Sequence, residues 1–61
     1  MPWNDMYYPP AMEHLAPPVR RKAIEIANAL LANGHEEGFA IRVAIARAKG
    51  WARRRRIDPI G

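Results

Sequence analysis

Sixty-one residues admit one domain at most and leave a single core near the lower limit of stability. The chain has no cysteine, which excludes disulfides and thiolate metal sites. Ten basic residues against six acidic ones, a formal charge of +4, admit nucleic acid, anionic surfaces or acidic proteins as partners, and an apolar content of 49% argues against a disordered basic peptide.

Residues 1–18 hold five of the six prolines and both tyrosines, the composition of an irregular, extended entry segment. Its opening, MPWNDMYYPP, lacks the apolar stretch of a secretory signal. Pro10 suits the first position of a short helix near 10–15, which the next prolines stop.

The run VRRKAIEIANALLANG predicts a helix over 18–33. Val19, Ala23, Ile26, Ala27 and Leu30 form its apolar stripe, widened by Ile24 and Leu31. Arg21, Glu25 and Asn28 fall on the opposite side. Gly34 ends the helix, since glycine takes the left-handed conformation a C-terminal cap requires.

A second helix is expected over 36–52, with Glu36 and Glu37 suiting its positive end. Ile41, Ala44, Ile45, Ala48 and Ala52 make its stripe, with Trp51 beside them. Ala40, Ala44 and Ala48 form a smooth ridge where another helix can approach closely. Gly50 weakens the last turn, so residues 53–61 are expected to fray as a basic tail.

So short a connection between long helices means antiparallel neighbours. The expected fold is therefore all-α: one mini-domain over 1–61, a helical hairpin covered by residues 1–17. Trp3, Tyr7 or Tyr8 would lie across both helices and meet Trp51, with Met6 and Met12 filling gaps. Trp3, Tyr8 and Trp51 are thus the structural aromatics. A homodimeric four-helix bundle is the alternative cover; the monomer is preferred because the aromatics otherwise have no evident task.

Antiparallel packing gathers charge at one pole. Arg20, Arg21 and Lys22 open the first helix; Arg47, Lys49, Arg53, Arg54, Arg55 and Arg56 close the second. Nine of the ten basic residues meet there, with Glu36 and Glu37 at the other end. Cations opposing the first helix's dipole, with no side-chain cap ahead of them, mark a place for an anion. Nucleic-acid phosphates would fit, read as backbone rather than as sequence. Taken singly, each cluster has a plainer reading: Arg20–Lys22 as solvated surface or as partners of Glu13, Glu25 or Asp58, and the arginines at a helix C-terminus as complements of its dipole.

Other chemistry finds no support in these residues. The two histidines, His14 and His35, are too few and too separated for a zinc site. Serine and threonine are absent along with cysteine, which removes the usual nucleophiles. Glu36 and Glu37 diverge by about 100° on a helix and make no catalytic pair. Neither a cofactor nor enzymatic activity is expected. A helix-turn-helix would need a shorter first helix, and HEEG would bring acids to the phosphates. Alanines on the second helix's apolar side leave too little bulk for insertion into a membrane.

The elements Pro2-Trp3, Tyr8-Pro9, Met12, Leu15, VRRKAIEIANALL, Gly34, EEG, Ala40-Ile41, Lys49 and Trp51 together resemble the C-terminal module of YdaT-like bacterial proteins. More distantly they resemble ChaB-like helical proteins. The resemblance implies a compact helical module whose entry segment docks on the hairpin, and it brings no catalytic residues. ARRRRIDPIG departs from the mixed-charge ending of such modules, so a role for its arginines would belong to this branch. The combined expectation is a small non-enzymatic module of the cytoplasm that contacts nucleic-acid backbone or another polyanion through its basic pole. The alternative is a module that docks on a larger bacterial protein.

Overall fold

Two prolines and an uncapped alanine start the first helix. The computed structural model describes residues 2–61, in which a 3-10 turn, Pro10–Met12, precedes α1 (Pro17–Ala32) and α2 (Glu37–Arg54). No strand forms among the described residues, only isolated bridges. The hairpin expected from the sequence is present, with α1 beginning one residue earlier and α2 running further into the arginines.

Both helices stop by the same device. After α1, Gly34 adopts φ +89°, and the N–H groups of Gly34 and His35 donate to the carbonyls of Leu31 and Leu30. After α2, Arg56 adopts φ +58°, and the N–H groups of Arg56 and Ile57 donate to the carbonyls of Arg53 and Ala52. A left-handed residue followed by these two backward bonds closes the orphan carbonyls of a helix end. The end of α2 is therefore a defined stop. The tail beyond it turns back to the start of α1: Ala16 N–H donates to Pro59 C=O at 2.9 Å and Gly61 N–H to His14 C=O at 3.1 Å. The fraying expected of residues 53–61 is absent because these backbone pairs hold them.

Where the helices meet, the core is mainly alanine. Ala23 and Ala27 of α1, and Ala40, Ala44, Ala48 and Ala52 of α2, are fully buried. Small side chains let the two helices approach closely, but they leave little apolar bulk. The entry segment supplies it: Met12 and Leu15, with Val19, are the largest fully buried side chains, and Trp3 is buried beside them. The radius of gyration, 10.6 Å, matches the roughly 10.5 Å of a close-packed domain this long.

Several side chains depart from the sequence reading. Asn28 does not face solvent; it is buried, and its amide grips the Trp3 backbone from both sides. Trp3 N–H donates to Asn28 Oδ1 at 3.3 Å, and Asn28 Nδ2 donates to Trp3 C=O at 2.9 Å. Met6 and Tyr7, expected in the clasp, are 93% and 69% exposed. They cap a turn over residues 4–7 in which Asn4 Oδ1 accepts from the N–H groups of Met6 and Tyr7. Ile26, Leu30, Ile41 and Ile45 are half-buried, because the close contact runs along the alanines rather than the larger residues beside them.

Candidate functional site

The start of α1 lies against the end of α2, as antiparallel packing requires. Lys22 Nζ stands 5.7 Å from the Trp51 ring centroid, and the Arg55 guanidinium carbon 5.0 Å from the same ring. Around them is an open depression of about 410 Å³ lined by Pro18, Arg21, Lys22, Glu25, Trp51 and Arg55. Trp51 is half-buried, packed against the core on one side and reaching the depression on the other. Arg47, four residues before Trp51, and Arg54, three after, share its helical face. Among the described residues Trp51 forms no ring pair with the entry aromatics; Asn28 holds Trp3 elsewhere on α1.

Charge in this region is almost uncompensated. Lys22–Glu25, at 3.1 Å, is the single ion pair among the described residues, and Glu25 is 71% exposed. An exposed pair of this kind contributes about 0–1 kcal/mol. Arg21, Arg47, Arg53, Arg54, Arg55 and Arg56 are exposed and meet no carboxylate. Lys49 is half-buried; it lies about 160° around α2 from Trp51, and Arg53 also points away.

Arg20 has a different task. Its Nη1 donates to the carbonyls of Glu13 at 3.2 Å and Leu15 at 3.1 Å, and its guanidinium carbon lies 4.6 Å from the Tyr8 centroid. It clamps the entry segment onto α1. Nor does the start of α1 offer backbone donors to an anion. Pro17 and Pro18 occupy its first two positions and have no N–H, Val19 at the third is fully buried, and the Ala16 N–H is engaged by Pro59. With the helix starting at Pro17, Arg21 and Lys22 fall in the second turn, where the dipole has faded. The anion site expected at this helix end is therefore not a backbone site; side chains alone supply its donors.

The nine expected cations thus divide. Arg21, Lys22 and Arg55 surround Trp51, Arg47 and Arg54 extend its face, and Arg56 stops the helix. Lys49 and Arg53 lie elsewhere, and Arg20 is structural. Of the lining residues, Glu25 was foreseen as a partner of the Arg20–Lys22 cluster, three residues after Lys22 and so on its side of the helix, and it pairs with Lys22; sequence reasoning missed Pro18. Among the described residues no three histidine or carboxylate side chains converge as a metal site would require.

The uncharacterized protein YdaT of Bacillus subtilis (strain 168) is 48% identical to this chain over 60 residues. The chain is a homologue of part of YdaT. The match takes in 98% of this chain and 40% of that protein, so it spans well under half the length of its relative. Residues 53–56 fall inside the matched stretch, and the arginine run is not an addition beyond it. No family model matches, which leaves the ChaB-like resemblance without support, and no solved structure matches either.

Proposed function

We propose that this YdaT homologue is a non-enzymatic interaction module that binds nucleic-acid backbone through the basic face around Trp51. The observation that carries the reading is the cluster of Arg21, Lys22, Arg47, Arg54 and Arg55, which has one exposed carboxylate, Glu25, among its neighbours. Helix dipoles account for part of it. Arg53 and Arg54 lie in the last turn of α2, where a cation gains about 0.3–1 kcal/mol. They do not account for Arg21 and Lys22, brought to the same place from the other helix. Lys22 and Arg55, at 5.7 and 5.0 Å from one ring centroid, stand no more than about 11 Å apart, where like charges repel by roughly 0.4 kcal/mol even in water, and a polyanion turns that repulsion into attraction.

Binding of this kind follows phosphate rather than sequence. Its affinity should lie at about 10⁻⁴–10⁻⁶ M near physiological salt, the range of non-specific nucleic-acid binding. The reading takes the protein to act as a monomer in the cytoplasm. Its own entry segment covers the hairpin, and among the described residues no helix is long and apolar enough to cross a membrane.

Amide NMR titration with short duplex and single-stranded DNA, at low and physiological salt, tests the proposal. Shifts confined to residues 21–22, 47 and 51–56, weakening as salt rises, are expected. Unmoved spectra at low salt overturn it. A second reading, docking on a larger bacterial protein, draws support from Met6 and Tyr7, presented side by side on the turn of residues 4–7.

A further inference from the structure

Resting on that reading, we infer that Trp51 is a stacking platform for an unpaired nucleobase, so that the physiological ligand class is single-stranded nucleic acid. The ring lines a depression between two helices rather than a ridge. A duplex presents a convex backbone with its bases stacked inside, and offers no base face to a ring so placed. A single strand can turn one base inward and leave its phosphates at the rim.

The rim is built for that second part. Lys22 and Arg55 lie within 5.7 and 5.0 Å of the ring centroid, and Arg21 lines the same depression. The ring is covered by the two cations themselves. Stacking on an aromatic side chain strengthens binding about 5- to 150-fold per base, against about 5- to 30-fold for the two exposed cation–π contacts it displaces together, and the phosphates gained by the released cations tip the exchange toward the base. Both cations are on long side chains, so each can leave the ring for an adjacent phosphate. The other tryptophan, Trp3, cannot serve, being 7% exposed.

The test compares three probes by fluorescence anisotropy at low salt: a thymidine oligonucleotide, an abasic strand with the same number of phosphates, and a duplex. The wild-type protein should bind the thymidine strand about tenfold more tightly than the abasic one, as one stacked base requires. Trp51→Leu should remove that difference; Trp51→Phe should restore much of it. Equal affinity for thymidine and abasic strands overturns the inference while the basic face stands as a phosphate contact. Binding to none of the three overturns both. Should Trp51→Leu fail to fold, the wild-type indole signals decide: Trp51 must shift upfield with the thymidine strand alone while Trp3 stays still, and an unmoved Trp51 signal refutes stacking.

Discussion

Replacing Asn28 with alanine deletes the side chain that fastens the entry segment to α1, and the cost can be worked from two bonds. The amide donates to Trp3 C=O at 2.9 Å and accepts from Trp3 N–H at 3.3 Å. Asn28 is 4% exposed and Trp3 7%, so water cannot replace the partner without opening the structure. An orphaned buried polar group costs about 1–3 kcal/mol, and the longer bond is the weaker of the two. We expect a loss of about 2–4 kcal/mol. A domain this small holds roughly 3–9 kcal/mol in all, so the variant loses a large share of its stability. Peeling of the entry segment limits the loss, because both orphaned groups then reach water and Trp3 is exposed instead. Urea unfolding followed by far-ultraviolet circular dichroism and tryptophan emission separates these routes. The emission midpoint should fall by about 2–4 M at a slope near 1 kcal/mol/M, with the dichroism midpoint falling equally or less. Asn28→Asp should fare no better, since its carboxylate repels the Trp3 carbonyl and buries a charge. If both variants unfold within about 0.5 kcal/mol of the parent, the size of an ordinary surface substitution, the reasoning is wrong.

Arg20→Met keeps the aliphatic stem but removes the donors to Glu13 and Leu15. Stability should drop by about 1–3 kcal/mol in the same unfolding assay, while nucleic-acid affinity at matched salt falls less than in Arg54→Met. The reverse order would place Arg20 in the binding face instead. Arg56 holds φ +58°, where a residue with a Cβ is strained by about 1–2 kcal/mol and glycine is not. Arg56→Gly should therefore stabilise the fold by about 0.5–1 kcal/mol after the added chain entropy of glycine is offset, and a lower midpoint would contradict the assigned helix stop.

The hairpin was legible because its signals are local. The 3.6-residue spacing, the glycine at position 34 and the short link each act within a few residues, and α1 and α2 follow them closely. Asn28 was misread for the opposite reason: an asparagine between apolar positions is polar by every local measure, and only a partner 25 residues away makes burial favourable. The end of α2 was misread likewise, since nothing in RRRR announces a left-handed stop. The backbone pairs of Ala16 and Gly61 that hold the tail also span the chain. At the basic pole, the gathering of cations could be inferred from topology. Their division could not, because Arg20 and Lys22 differ only by which carbonyl or ring lies within reach. Two prolines ahead of those cations did carry a readable message: they remove the N–H groups an anion would need at that helix end.

The central claim, that the face around Trp51 binds nucleic acid through charge, is tested most directly by the salt dependence of a single-strand association constant. Wild-type protein is compared with the variant Arg54→Ala/Arg55→Ala/Lys22→Gln. Each phosphate neutralised contributes about −0.7 to the slope of log K against log salt for a single strand. If the five clustered cations engage, the parent slope should be about −3 to −4, falling by about 2 in the triple variant. Parallel lines for the two proteins, or a parent slope near zero, would contradict the account.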